Sequence, residues 1–203
     1  MIRKILPIIL LILPLIATAQ NIGWIYQNMP SELSPILNAS QRFELIEYAK
    51  EGRHESVTNI LNGNSHILSY NEQQHYLKVA TTTNSTLAIK IIPISSSEYF
   101  TVMIHTVAAP ISSSTITIYN QNWQKIDAQL PRFKTNDFLT LQHNLSAEEL
   151  EQISPIFVSA DFSTTSQTIE FTNQTHKILP QKQQEHYLPF LQTYMIPLES
   201  ILP

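Results

Sequence analysis

The sequence predicts a single α+β domain: an antiparallel β-meander with one face buried, short helices before it, and one or two short helices after it. Three observations carry this. Over residues 55–126 apolar positions recur with period two, in runs rich in β-branched and aromatic residues. Before and after that block they recur at three- and four-residue spacing. No linker or internal repeat divides the chain.

The N-terminal elements follow from spacing and caps. Ser31 precedes Glu32, Leu33, Ile36 and Leu37, and Ser40 opens a second helical run in which Phe43, Ile46 and Leu45 with Ala49 recur at three- and four-residue spacing. Gly52 is its natural C-terminal stop. Trp24, Ile25 and Met29, just upstream, are expected to pin this helical start to the core.

Residues 75–81, 86–94, 99–107 and 115–119 read as the meander strands, separated by Asn, Ser or Pro clusters. A turn centred on Asn84 sets Leu77 opposite Ile91 and Val79 opposite Ile89. A turn at Ser96-Ser97 sets Ile91 opposite Val102 and Ile89 opposite Ile104. A loop centred on Pro110 sets Val102 opposite Ile118 and Ile104 opposite Ile116. In these registers all four strands share one aliphatic face, as a sheet with one buried side requires. The other face carries Lys78, Lys90, Met103, His105, Thr115 and Thr117, with Lys78 opposite Lys90, which requires both ammonium groups to reach water. Asn62-Gly63 is the strongest hairpin signal in the chain. The Asn120-Gln121-Asn122 turn folds Trp123 back toward Tyr119.

Ser146 with Glu149 forms a capping-box pattern opening a short helix that Pro155 ends. Residues 157–161 and 168–172 read as strands joined by the Ser/Thr-rich stretch 163–167. Residues 180–191 read as a short helix, and 194–198 as a final edge strand, where Pro197 is tolerated.

The first nineteen residues read as an address. Arg3 and Lys4 precede the apolar run 5–16 and Ala17-Thr18-Ala19, the layout of a secretory signal peptide cleaved between Ala19 and Gln20. That run is shorter than the roughly 20 residues a spanning helix needs. The expected product is one domain over 20–203, soluble in the periplasm or outside the cell, with no stable membrane anchor after cleavage. With no cysteine in the chain, it is not a lipoprotein.

Composition excludes several classes of chemistry. Zero cysteine removes disulfides, thiolate zinc sites, Fe–S clusters and cysteine nucleophiles. Gly23, Gly52 and Gly63 are too far apart for a Walker loop, a dinucleotide fingerprint or a nucleophile elbow. The net charge of −4 becomes more negative once Arg3 and Lys4 are removed, which disfavours nucleic acid as a partner. No cofactor is expected.

Several short motifs carry a resemblance. They are the Trp24…Met29-Pro30 segment, the strand Thr86-Leu87-Ala88-Ile89-Lys90-Ile91-Ile92-Pro93-Ile94, Thr106-Val107-Ala108-Ala109-Pro110, and Ile118-Tyr119 running into Asn122-Trp123. Leu179-Pro180 and Tyr187-Leu188-Pro189-Phe190-Leu191 complete the set. In this order the chain resembles, over nearly its whole length, an exported family of gut-type Bacteroidales catalogued only as a domain of unknown function. The resemblance implies export and a single domain, and it brings no activity. Members often carry a cysteine near the position of Ala108 or Ala109, so no thiol role carries over.

Candidate chemistry is sparse. His54, His66, His75, His105, His143, His176 and His186 form no HxH or HxxxH pair, so no metal site is expected, His66 and His75 across a hairpin being the nearest approach to one. His105, Asp127 or Asp161, and a serine of Ser112-Ser113-Ser114 supply the residue types of a serine hydrolase without an oxyanion glycine. Glu148, Glu149 and Glu151 could be read as glycosidase carboxylates, but acidic residues at a helix start are explained by its dipole. No catalytic residue is assigned. The favoured reading is a non-catalytic binding or scaffolding module for an envelope protein or a glycan, with Lys90, Met103, His105 and Thr117 of the mixed face as binding candidates. For a glycan, Tyr76, Tyr99, Phe100 and Trp123 are the available aromatics. The alternative is an envelope hydrolase with a serine or carboxylate site assembled in the sheet.

Overall fold

The computed structural model describes residues 21–203; the predicted signal peptide and its predicted cleavage position between Ala19 and Gln20 lie outside the described residues. Helix α1 (Ile22–Gln27) is capped by Asn21, whose side chain accepts from the Trp24 N–H. Helix α2 (Ala39–Lys50) starts with a capping box between Asn38 and Gln41, so the cap is Asn38 rather than Ser40. It ends just before Gly52, whose φ of 71° is the left-handed conformation that favours glycine. Gly23 lets α1 sit on α2, since a Cβ there would lie 2.9 Å from Ile46 Cγ2. The helical run predicted after Ser31 is only a 3₁₀ turn, Ser31–Leu33. Pro35 keeps Ser34 out of the α region, so the turn cannot continue. Ile25 and Met29 enter the core as expected, whereas Trp24 and Phe43 face water.

Seven strands form one antiparallel sheet in chain order: β1 (Ser56–Thr58), β2 (Asn64–Asn71), β3 (Tyr76–Thr82), β4 (Ser85–Pro93), β5 (Tyr99–Ala108), β6 (Ser112–Asn120) and β7 (Lys125–Ile126). The β1–β2 hairpin turns at Asn62-Gly63 as predicted, with Asn62 at φ 59° and the Asn59 side chain accepting from the Leu61 and Gly63 N–H groups. Trp123 also folds back as predicted, its ring centroid 6.0 Å from that of Tyr119. Helix α3 (Ala147–Gln152) carries the Ser146–Glu149 capping box. Strands β8 (Val158–Phe162), β9 (Thr168–Asn173) and β10 (Tyr194–Pro197) make a second antiparallel sheet with β9 central, and helix α4 (Gln181–Tyr187) precedes β10. Pro197 thus lies in an edge strand.

The α+β class and the meander hold; the single buried face does not. Between β5 and β6 the register is as predicted, Val102 opposite Ile118 and Ile104 opposite Ile116. Between β3 and β4 it is displaced by two residues, with Leu77 opposite Ile89, and an even displacement keeps every side chain on its face. Between β4 and β5 it is displaced by one: Ile89 lies opposite Met103 and Lys90 opposite Val102. The connecting loop is closed by Ile94 and Ser95 N–H groups on the Glu98 carbonyl, which centres it on Ser96 instead of between Ser96 and Ser97. A one-residue change inverts the faces, because side chains alternate with period two. The aliphatic residues are consequently split. Leu77, Val79, Leu87, Ile89, Ile91 and Met103 pack with Ile22, Ile25, Leu45 and Ile46 of the helices. Tyr76, Ala88, Val102, Ile104, Ile116 and Ile118 pack with Phe162, Ile169, Phe171 and Ile196 of the second sheet. The middle of the sheet, over β3 and β4, is buried on both faces, between a helical layer and a three-stranded layer.

Lys78 and Lys90 are not opposite each other. Lys78 faces Ala88 across the strands and forms an ion pair with Asp161 of β8; Lys90 faces Tyr76. The ion pair, the Ala160 N–H donated to Ser114 Oγ at 2.8 Å, and the edge-on contact of Tyr76 with Phe162 at 5.9 Å dock the second sheet on the first.

Candidate functional site

Helices α1 and α2 cover the β1–β3 side of the meander, so their face of the sheet stays open over β5 and β6. There a groove of about 610 Å³ runs between the segment 32–36 and the sheet. Its floor includes Leu87, Met103, His105, Thr115, Thr117 and Tyr119, and its wall Leu33, Pro35 and Ile36. Register explains the convergence: Met103 lies opposite Thr117 and His105 opposite Thr115. Three of the four predicted binding residues, Met103, His105 and Thr117, therefore line one groove. Lys90 lies on the opposite face, because of the one-residue register change.

The groove borders an unusual edge. Strand β7 pairs only with Ile118 and Tyr119, so the outer edge of β6 from Ser112 to Thr117 has no strand partner among the described residues. Ser113 and Thr115 are exposed there. On the other face of the same edge lies a second cavity, of about 220 Å³, between β6 and the second sheet. Ile116, Leu130, Phe133, Val158 and Phe171 line it, and Thr115 borders both cavities. An unpaired edge presents free backbone donors and acceptors, and here it lies between two apolar depressions.

The groove wall was the part that the sequence concealed. Leu33 and Ile36 repeat at helical spacing, and the only sign that they form an irregular wall is the proline pair Pro30 and Pro35 around them. Arg42 was also concealed. Its side chain is buried, and its guanidinium donates to the carbonyls of Tyr26 (3.0 Å), Leu37 (2.8 Å), Met29 (2.6 Å) and Gln27 (3.3 Å). These carbonyls cluster around the C-terminal end of α1, where the helix dipole is negative. Arg42 thus holds the segment that leads into the groove wall.

The residues considered for hydrolysis are not brought together. His105 is in the groove, whereas Asp161 is on the other side of the sheet, paired with Lys78. Ser114 Oγ is occupied by the Ala160 N–H and by Thr106 Oγ1, and Asp127 is exposed beyond β7. Glu149 closes the α3 capping box and contacts His186 Nε2 at 2.9 Å; the Ser146 N–H, followed by His186, holds its carboxyl below the usual carboxylate range. His66 lies opposite Ala80, far along β2 from His75. No group of three His, Asp or Glu side chains arranged to hold a metal occurs among the described residues. Of the aromatics considered for a glycan platform, Tyr76 is buried and Tyr99, Phe100 and Trp123 are half-buried. No described helix is long and apolar enough to cross a membrane.

Comparison with known proteins agrees with this architecture. The chain is similar to the solved structure of a domain of an uncharacterized protein from Porphyromonas gingivalis W83, at 18% identity and a TM-score of 0.69, covering 88% of this chain and 93% of that one. At that identity the likeness shows the fold alone. Among curated proteins nothing matches the chain. The model of a family described as a protein of unknown function, DUF3256, matches residues 15–197, and the chain belongs to that family.

Proposed function

We propose that the protein is an exported, non-catalytic binding module that takes an extended segment of an envelope protein by strand addition to the outer edge of β6. The observation that carries this reading is the position of that edge between two cavities. An added strand would pair its backbone with Ser112–Thr117, and its alternate side chains would point to the groove on one face and to the smaller cavity on the other. Backbone pairing supplies affinity in such complexes, and the alternating pockets supply specificity. Met103 and Val107 give the groove an apolar floor, with the hydroxyls of Thr115 and Thr117 and the His105 imidazole beside it. Export is supported by the basic, apolar and small-residue layout of residues 1–19. A protein segment is favoured over a glycan because the half-buried aromatics offer no flat platform.

The test uses a photo-cross-linking side chain at Thr115 in the intact protein, irradiated in native envelope. The expected result is one reproducible polypeptide adduct, lost when Met103→Lys closes the groove, with slowed amide exchange in 112–117 when a peptide from the adduct is added. Adducts unaffected by Met103→Lys, an adduct to glycan alone, or unchanged exchange would overturn the reading. Labelling of a Ser112–Ser114 hydroxyl by a fluorophosphonate would instead favour the hydrolase.

A further inference from the structure

We propose that Lys90, on the opposite face of the sheet, is the cation of a second site that takes the carboxylate of a ligand with an aliphatic body. Lys90 sits in the middle of β4 between Tyr76 and Val102 of the neighbouring strands, and it exposes only 4% of its surface. Its side chain has no ion-pair or hydrogen-bond partner among the described residues. Lys78, on the same face, has Asp161. The stem is buried, and the ammonium opens into a recess where no protein group is bonded to it, so whatever fills the recess answers the charge.

The surroundings specify what could do so. Lys90 lines a recess of about 120 Å³ whose other walls are Gln74 and the β8–β9 loop, residues 163–167. That loop and Gln74 offer hydroxyl and carboxamide donors, Ser163 being itself buried. Lys90, Gln74 and Gln167 also line an adjoining cavity of about 320 Å³, walled by Ile92, Pro93, Pro197 and Leu198. His75 borders this second cavity, and its Nδ1 is buried without a partner. A cation and neutral donors beside an apolar trough match a carboxylate head joined to an aliphatic chain. Glu199 at the trough disfavours a dianion such as phosphate more than it disfavours a single carboxylate. A free aliphatic acid and a peptide ending in an aliphatic residue share this chemistry. The site is separate from the β6 edge, so it stands or falls independently of strand addition.

The test is a titration of the whole domain at constant ionic strength with hexanoate, N-acetyl-Ala-Leu-Leu, their uncharged amides, and inorganic phosphate. The Lys90 side-chain carbon resonances, assigned with Lys90→Arg, are followed together with the melting temperature. One or both carboxylates should shift the Lys90 signals and raise the melting temperature saturably, and the one that acts identifies the source. The amides and phosphate should do neither. Lys90→Met should lose the response, Lys78→Met should keep it, and Ser163→Val should weaken the affinity severalfold with Lys90 still in place. No shift of the Lys90 signals with either carboxylate at tens of millimolar, a response retained in Lys90→Met, or an equal response to the amides would overturn the proposal.

Discussion

Arg42 in the helical layer and Lys90 beneath the second sheet are both buried basic residues with no ion pair among the described residues, and the protein answers the two charges differently. Arg42 is surrounded by four carbonyls, those of Tyr26, Gln27 and Met29 at the end of α1 and that of Leu37 just before α2, so one side chain ties the exit of the first helix to the entry of the second. Lys90 lies between Tyr76 and Val102 of the neighbouring strands, with polar groups only across the recess and, with Glu199, along the adjoining trough. A guanidinium with five donors can close a cluster of carbonyls completely, whereas a lone ammonium on a strand depends on what the opposite layer presents. The first arrangement is structural and the second is open, which distinguishes a built interior from a place prepared for something else.

This contrast can be broken most strongly at Arg42. Arg42→Met leaves the carbonyls of Met29 and Gln27 without a partner, while that of Tyr26 keeps the Met29 N–H and that of Leu37 the Ser34 hydroxyl, and should cost about 2–4 kcal/mol in urea unfolding, with loosening of the 28–37 segment in amide exchange. Lys90→Met should act in the opposite direction, raising stability by about 1–2 kcal/mol in the same measurement, because an unanswered charge is replaced by a side chain that suits its strand neighbours. A loss at Lys90 comparable to that at Arg42 would erase the distinction. Ser146→Ala, remote from both, should cost about 1 kcal/mol by removing the α3 cap, which calibrates what a single local hydrogen bond is worth here.

The smallest effects come from pH. Burial pushes the Lys90 ammonium below the ordinary lysine value of 10.5. Between its folded value and 10.5 the unfolded chain holds more protons, so stability should rise as pH rises through that window, and Lys90→Met should remove the rise. Glu149 behaves in the opposite sense: its folded value is lowered, so its contribution is complete above the ordinary 4.5 and is lost as pH falls through the folded value. Melting curves of Glu149→Gln against the parent between pH 3 and pH 6 should therefore converge at the acid end.

Much of the fold was legible because it is decided locally. The Ser146 cap, the Asn62-Gly63 turn, the return of Trp123 onto Tyr119 and the edge position of Pro197 each depend on a few neighbouring residues, and each is where the sequence places it. The candidate site was legible in part. Met103, His105 and Thr117 were read on one face and do share it, since both the predicted and the observed β5–β6 registers keep them together. Lys90 was read on that face too, through a β4–β5 register that differs by one residue from the real one.

What the sequence by itself determined are the meander strands, the Ser146 cap, the exclusion of thiol and glycine-loop chemistry, and the pairing of β5 with β6. Only the tertiary structure decided which side of the meander each aliphatic residue occupies, because a loop that closes on Ser96 rather than between Ser96 and Ser97 turns every alternate side chain over. It also decided the fate of the two cations. The groups around Arg42 and Lys90 come from segments distant in the chain, and neither burial nor its compensation is written in the residues beside them.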